Sequence, residues 1–181
     1  MKGNAPLTHV SNDWITYCCD SLFVSKCFYL LIYALTALAM QLVQFFHRVW
    51  KVASLPLYLR PYSVVITSPN SGLIETIPDC VSIDGLKKSF PHFTSLADFF
   101  VSFYGPKDSQ SYLTAVTNFT ESLAGYSMLS YILQLKDRHN GNIMLQRSGH
   151  LVHIDYGFIL ANSPGQLIID SVLVEVKFKF T

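Results

Sequence analysis

Two short polar islands, Lys136-Asp137-Arg138-His139-Asn140-Gly141-Asn142 and His153-Ile154-Asp155-Tyr156-Gly157, are separated by just enough chain for one small β-hairpin. No other feature limits the fold so tightly. Residues 142–145 and 151–154 read as short strands around Arg147-Ser148-Gly149, where the glycine supplies the positive φ of a tight turn. Such a hairpin carries Asp137, Asn142 and Asp155 to one side. Upstream, residues 112–135 place Val116, Phe119, Leu123, Tyr126, Leu129 and Leu133 at three- and four-residue steps, the pattern of a long helix with one buried face. That helix delivers the chain to Asp137.

An Asp-x-x-x-x-Asn loop followed by Asp-aromatic-Gly has the parts that phosphoryl transfer needs. These are a carboxylate near the acceptor hydroxyl and oxygen ligands that hold magnesium against nucleotide phosphates. Taken alone, the first island reads equally well as a hydrophilic turn, because Asn-Gly is a common turn dipeptide. The second island, arriving at hairpin distance with its own aspartate and glycine, turns the reading to a phosphate-transfer centre.

The remaining elements read as a compact α/β domain. Residues 63–67 form a β-branched run that ends in the turn Ser68-Pro69-Asn70-Ser71-Gly72, and a second strand follows at 73–77. Pro78-Asp79 breaks that strand. A short helix is expected over 82–88, with Ser82 as its cap and Asp84 in the first turn, and another over 95–103. Residues 22–46 are almost continuously apolar, interrupted mainly by Lys26, Gln41 and Gln44. A spanning helix needs about 20 apolar residues, so this run is either a membrane segment or a buried helix whose second half sets Met40, Val43, Phe46 and Trp50 at helical spacing.

Composition narrows the class. Half of the 181 residues are hydrophobic, enough for one domain core, and the formal net charge of +1 argues against a nucleic-acid binder. Cys18, Cys19, Cys27 and Cys80 form neither a C-x-x-C pair nor a zinc-spaced cluster with histidine, so neither a metal site nor a disulfide framework is indicated. A reducing, cytosolic setting is the default. The sequon Asn118-Phe119-Thr120 lies inside a helical segment and carries little weight.

The two islands resemble the catalytic and metal-binding loops of the phosphatidylinositol 3-/4-kinase superfamily. Lys136 and Gly141 tilt the likeness toward phosphatidylinositol 4-kinases. The segments Leu57-Tyr58-Leu59-Arg60-Pro61-Tyr62, Gly72-Leu73-Ile74-Glu75-Thr76-Ile77-Pro78, Ala124-Gly125-Tyr126-Ser127 and Asn162-Ser163-Pro164-Gly165 resemble the type III beta class. The resemblance implies an α/β (α+β), incomplete bilobal kinase-like fold, with part of the N-lobe and the catalytic-loop half of the C-lobe. It divides the chain into an atypical apolar segment 1–37, a partial catalytic domain 38–165 and an atypical tail 166–181. It also implies ATP and Mg2+ (or Mn2+) as cofactors and phosphatidylinositol in a membrane as substrate, phosphorylated at its 4-hydroxyl. Asp137 would orient or deprotonate that hydroxyl and His139 would support developing phosphate charge. Asn142 and Asp155 would bind the metal, while the Glu75 carbonyl and Ile77 amide would hold adenine. The implied location is cytoplasmic, peripheral on Golgi or other endomembranes.

The departures from the family are specific. Tyr156 stands where the family usually has phenylalanine, and the chain has neither a G-x-x-x-x-G-K nor a G-x-G-x-x-G loop. No Asp or Glu occurs between Asp20 and Glu75, so the acidic partner of the family's phosphate-gripping lysine is missing from this helix. Ile32-Tyr33-Ala34-Leu35-Thr36 replaces the family's acidic stretch. In the tail, Val174, Val176, Phe178 and Phe180 alternate with charged residues as in a half-buried strand, unlike the family's lipid-reading loop. The unfamiliar ends are what a truncated gene model, an unspliced intron or a splice form would produce. The expectation for the isolated chain is therefore little or no activity; the alternative is a catalytically dead, membrane-associated scaffold that retains the kinase-like core. A generic α/β domain with accidental polar loops is the third reading.

Overall fold

The computed structural model describes residues 30–68, 71–90 and 93–160. Residues 22–29 of the apolar run, the Pro69-Asn70 turn, the 162–165 segment and the 166–181 tail lie outside the described residues, as do Cys18, Cys19 and Cys27.

Helix α1 (Leu30–Val52) contains neither glycine nor proline and is rich in Leu, Ala and Gln, all compatible with a long helix. It ends where Ser54 turns left-handed (φ 54°) and the Leu55 N–H closes back on the Trp50 carbonyl at 3.0 Å. One face, carrying Thr36, Ala39, Met40, Val43 and Trp50, is buried, and Phe46 packs beside it. This is the buried-helix pattern. Among the described residues no helix is long and apolar enough to cross a membrane.

Strands β1 (Val64–Ser68) and β2 (Ser71–Ile74) form an antiparallel hairpin, with Tyr33 of α1 lying against Gly72. Sequence pattern extends the second strand to Ile77, but the ordered strand stops at Ile74. Glu75 continues the pairing by one bond to the Ser63 carbonyl, and then its carboxylate folds back onto the Ser63 N–H at 2.8 Å. Pro78 has no N–H to donate, so a ladder does not continue through it.

The second sheet runs β3-β4-β5, all antiparallel: β3 (Cys80–Ser82), β4 (Ile143–Gln146) and β5 (Leu151–His153). Strand β3 is a departure from the expected break and helix. Three residues are too few to show alternation, and their pairing partner lies more than 60 residues away in sequence. Gly149, at φ 94°, makes the β4–β5 turn, and a side chain there would strike the Ala115 backbone at 2.6 Å.

Three serines start three helices. Ser82 accepts from the Gly85 N–H ahead of α2 (Ile83–Ser89), Ser95 from Asp98 ahead of α3 (Leu96–Tyr104), and Ser109 from Tyr112 ahead of α4 (Gln110–Leu133). Helix α4 joins two cores that lie on opposite faces of the three-stranded sheet. Its N-terminal half packs Ala115 and Phe119 with Phe99, Phe100, Leu145 and Leu151. Its C-terminal half packs Tyr126, Leu129 and Leu133 with Val43, Val152 and Tyr156 of the other core. The buried Ser122 hydroxyl fastens helix to sheet, accepting the Leu151 N–H at 2.8 Å and donating to the Asn118 carbonyl at 2.7 Å. Both polar islands emerge from the ends of these buried elements.

Candidate active site

Helix α4 stops at a left-handed Gln134 (φ 47°), which frees the chain to enter the loop that leads to β4. Two backbone bonds bind this exit to the segment after β5: Lys136 N–H to the Phe158 carbonyl at 3.0 Å, and Leu160 N–H to the Leu133 carbonyl at 2.9 Å. The two islands are thereby held side by side.

Asn142 is the inner link. Its side-chain amide donates to the Asp137 carbonyl at 3.0 Å, its N–H to the His139 carbonyl at 2.9 Å, and its own carbonyl accepts the Ile154 N–H at 3.0 Å. Arg138 is the outer link. Its guanidinium donates to the carbonyls of Lys136 at 3.0 Å, Ile154 at 2.6 Å and Asp155, and lies over the Tyr156 ring, 5.7 Å from its centroid. Burial pulls the Arg138 pKa down, while the phenol of Tyr156 and the carboxylates of Asp155 and Asp137 push it up. Three charge-assisted bonds from a planar fork make a rigid joint.

Asp137 and Asp155 both adopt left-handed backbone, each at φ 58°. That region costs a non-glycine residue about 1 kcal/mol, and aspartate is among the residues that tolerate it best. Asp155 Oδ1 accepts the Gly157 N–H at 3.2 Å, which leaves the second oxygen outside that bond. His139 receives the Gly141 N–H on Nδ1 at 3.0 Å, so in the neutral ring the proton sits on Nε2, 3.9 Å from Asp137 Oδ1. Gly141 leaves room for that ring, because a Cβ there would lie 2.9 Å from it.

The structure thus brings Asp137, His139, Asn142 and Asp155 into one bonded loop cluster. Glu75 and Ile77 lie elsewhere, on the segment joining the two sheets. Ile77 is buried in the same core as Tyr62 and Tyr156, whose rings are 6.4 Å apart. Among the described residues, the Glu75 carbonyl and the Ile77 N–H carry no hydrogen bond. The Glu75 side chain has a structural task that sequence reading passed over: besides capping Ser63 it pairs with Arg60 at 3.3 Å. Arg138 was the other omission. Its only sequence signal is a five-donor side chain set between two carboxylate-bearing loops, which reads as readily as a solvated charge.

The donor chemistry suits a hard divalent cation. Because the Asn142 amide nitrogen is committed to the Asp137 carbonyl, its Oδ1 is the free end, and Asp155 adds a carboxylate oxygen. Among the described residues no three His, Cys, Asp or Glu gather into a self-sufficient metal site. Magnesium needs none, since it is commonly bound through one or two carboxylates with phosphate and water oxygens completing the shell.

The family model for phosphatidylinositol 3- and 4-kinase matches residues 35–174. The chain belongs to the phosphatidylinositol 3- and 4-kinase family. It is 54% identical over 134 residues to "Phosphatidylinositol 4-kinase" of Dictyostelium discoideum, covering 74% of this chain and 11% of that protein. Likeness to "Phosphatidylinositol 4-kinase beta 1" of Arabidopsis thaliana is 52% over 134 residues, 74% of this chain and 12% of the relative. "Phosphatidylinositol 4-kinase beta" of Xenopus tropicalis is 41% identical over 143 residues, 79% and 18% of the two chains. The chain spans under a fifth of the length of these curated relatives. Its mixed helices and strands are those of a kinase-domain fragment of this family, and the kinase-like reading of the sequence is the one the family match supports.

Proposed function

We propose that this chain carries the hydroxyl-handling and metal-handling half of a phosphatidylinositol 4-kinase catalytic domain of the beta class. The observation that carries the reading is the double tie of the two loops, by the Ile154 N–H to the Asn142 carbonyl and by the Arg138 guanidinium to the Ile154 and Asp155 carbonyls. In the reaction the inositol 4-hydroxyl attacks the γ-phosphorus of ATP in line, a new P–O bond forms, the β–γ bridging bond breaks, and ADP leaves. Asp137 orients the hydroxyl and takes its proton, and His139 offers Nε2–H to the transferring phosphoryl oxygens. Asn142 Oδ1 and Asp155 hold the divalent cation, which when bound neutralises charge on the nucleotide phosphates. The Glu75 carbonyl and Ile77 N–H hold the adenine edge. The family resemblance suggests that this chemistry takes place at the cytosolic face of Golgi or other endomembranes.

Turnover by the chain itself is proposed to be slight. Buried Thr36 and Tyr33 occupy the part of α1 where the family resemblance expects acidic residues, so a phosphate-gripping lysine would find no carboxylate there. The test is incubation of the purified chain with ATP, Mg2+ and phosphatidylinositol micelles. The expected outcome is trace phosphatidylinositol 4-phosphate, removed by Asp155→Ala. Product at another hydroxyl would overturn the class, and rapid turnover would overturn the proposed weakness.

A further inference from the structure

Helix α1 has a second apolar face. Leu38, Leu42, Phe45, Val49 and Val52 recur at steps of four and three residues, within a sector of about 80° at about 100° per residue. This sector lies nearly opposite the buried one. Leu42 packs partly on the core, whereas Phe45 is 58% and Val52 87% exposed; Leu38 and Val49 are exposed as well.

A polar flank runs along one side of the stripe through Gln41, Gln44, Arg48 and Lys51. The helix carries no acidic residue, and among the described residues neither Arg48 nor Lys51 has an ion-pair partner. An apolar stripe bordered only by basic and neutral side chains matches a surface with acyl chains below and negative headgroups above. A protein partner of mixed charge would leave the cations less well matched, and a second copy of this face would oppose cation to cation.

We propose that the outer face of α1 is a membrane-docking surface that lies in the interface of an anionic bilayer. Phe45, Val49 and Val52 enter the headgroup–acyl boundary while Arg48 and Lys51 meet lipid phosphates and carboxylates. The helix lies on the bilayer and does not cross it. Such docking would bring a lipid kinase to its substrate, yet it stands on the helix alone and is testable without nucleotide or inositol lipid.

The experiment is flotation of the full chain with vesicles of phosphatidylcholine, and with vesicles of phosphatidylcholine and phosphatidylserine at roughly three to one. The chain is expected to float with the anionic vesicles and to release as salt is raised. Phe45→Ser with Val49→Ser should weaken that binding at least about tenfold, and Arg48→Glu with Lys51→Glu should abolish the preference for anionic lipid. Far-ultraviolet circular dichroism should stay unchanged in both variants; thermal unfolding should stay unchanged in the Arg48/Lys51 variant and fall only slightly in the Phe45/Val49 variant, whose Phe45 ring meets Phe46 edge-on at 5.6 Å. Equal flotation of the parent chain and the Phe45/Val49 variant would overturn the proposal. So would absence of binding to anionic vesicles, or a dimer that the Phe45/Val49 variant dissociates without any change in flotation. Loss of kinase chemistry leaves these readouts untouched, so the two readings fail separately.

Discussion

The Asn142 side-chain amide donates to the Asp137 carbonyl at 3.0 Å, while the Asn142 carbonyl accepts the Ile154 N–H at the same distance. One residue therefore spans both loops of the site. An aspartate at position 142 would keep oxygen donors for a metal but lose the N–H donor, and would turn a carboxylate toward a carbonyl. Asn142→Asp is predicted to cost about 1–3 kcal/mol in metal-free buffer, read by denaturant unfolding.

Arg138→Lys is predicted to behave as a disruptive change. A single ammonium cannot reproduce the guanidinium's bonds to Lys136, Ile154 and Asp155. Amide exchange at Asn142 and Ile154 should accelerate about tenfold or more, while exchange in the middle of α4 stays slow. Uniform protection across the two proteins would show that the loops stand without this joint.

Tyr156 carries a fully buried hydroxyl that has no hydrogen-bond partner among the described residues. Burial pushes its pKa up, so the phenol stays neutral and its oxygen remains unsatisfied. Tyr156→Phe is predicted to be neutral or to stabilise by about 1 kcal/mol, measured by denaturant midpoint at constant m-value.

His153 stacks on Tyr126 at 4.5 Å and has a buried Nδ1 without a partner. Burial, with Arg138 adding a smaller push, brings its pKa down from 6.5 to about 3. The folded chain refuses a proton that the unfolded chain binds within that window. Stability therefore falls as pH drops from 6.5 toward 3, by up to about 1.4 kcal/mol per unit from this group. Unfolding measured across that range in metal-free buffer should lose part of its slope in His153→Phe.

The parts of this fold that were legible in sequence are those fixed by local chemistry. Ser82 caps its helix, Gly149 turns the hairpin with positive φ, and the three- and four-residue steps of Phe119, Tyr126, Leu129 and Leu133 mark the buried face of α4. The islands were legible because polar side chains must cluster where buried elements end. Strand β3 was not, since Cys80–Ser82 becomes a strand only by pairing with distant β4. The Glu75 carboxylate was hidden for a related reason: a β-compatible setting gives no sign that it closes on Ser63 and Arg60. Arg138 was hidden because a carbonyl-bound, half-buried guanidinium and a solvated one look alike in sequence until the carbonyls around it are known.

The most direct test of the central claim is Mn2+ electron paramagnetic resonance of the purified chain titrated with Mn2+ and ATP, compared with Asp155→Ala. The parent chain is expected to bind the metal–nucleotide complex, and the substitution to weaken binding at least about tenfold through loss of a carboxylate ligand. Identical affinity in the two proteins, or no binding to the parent chain, would contradict the assignment of these loops as a nucleotide–metal site.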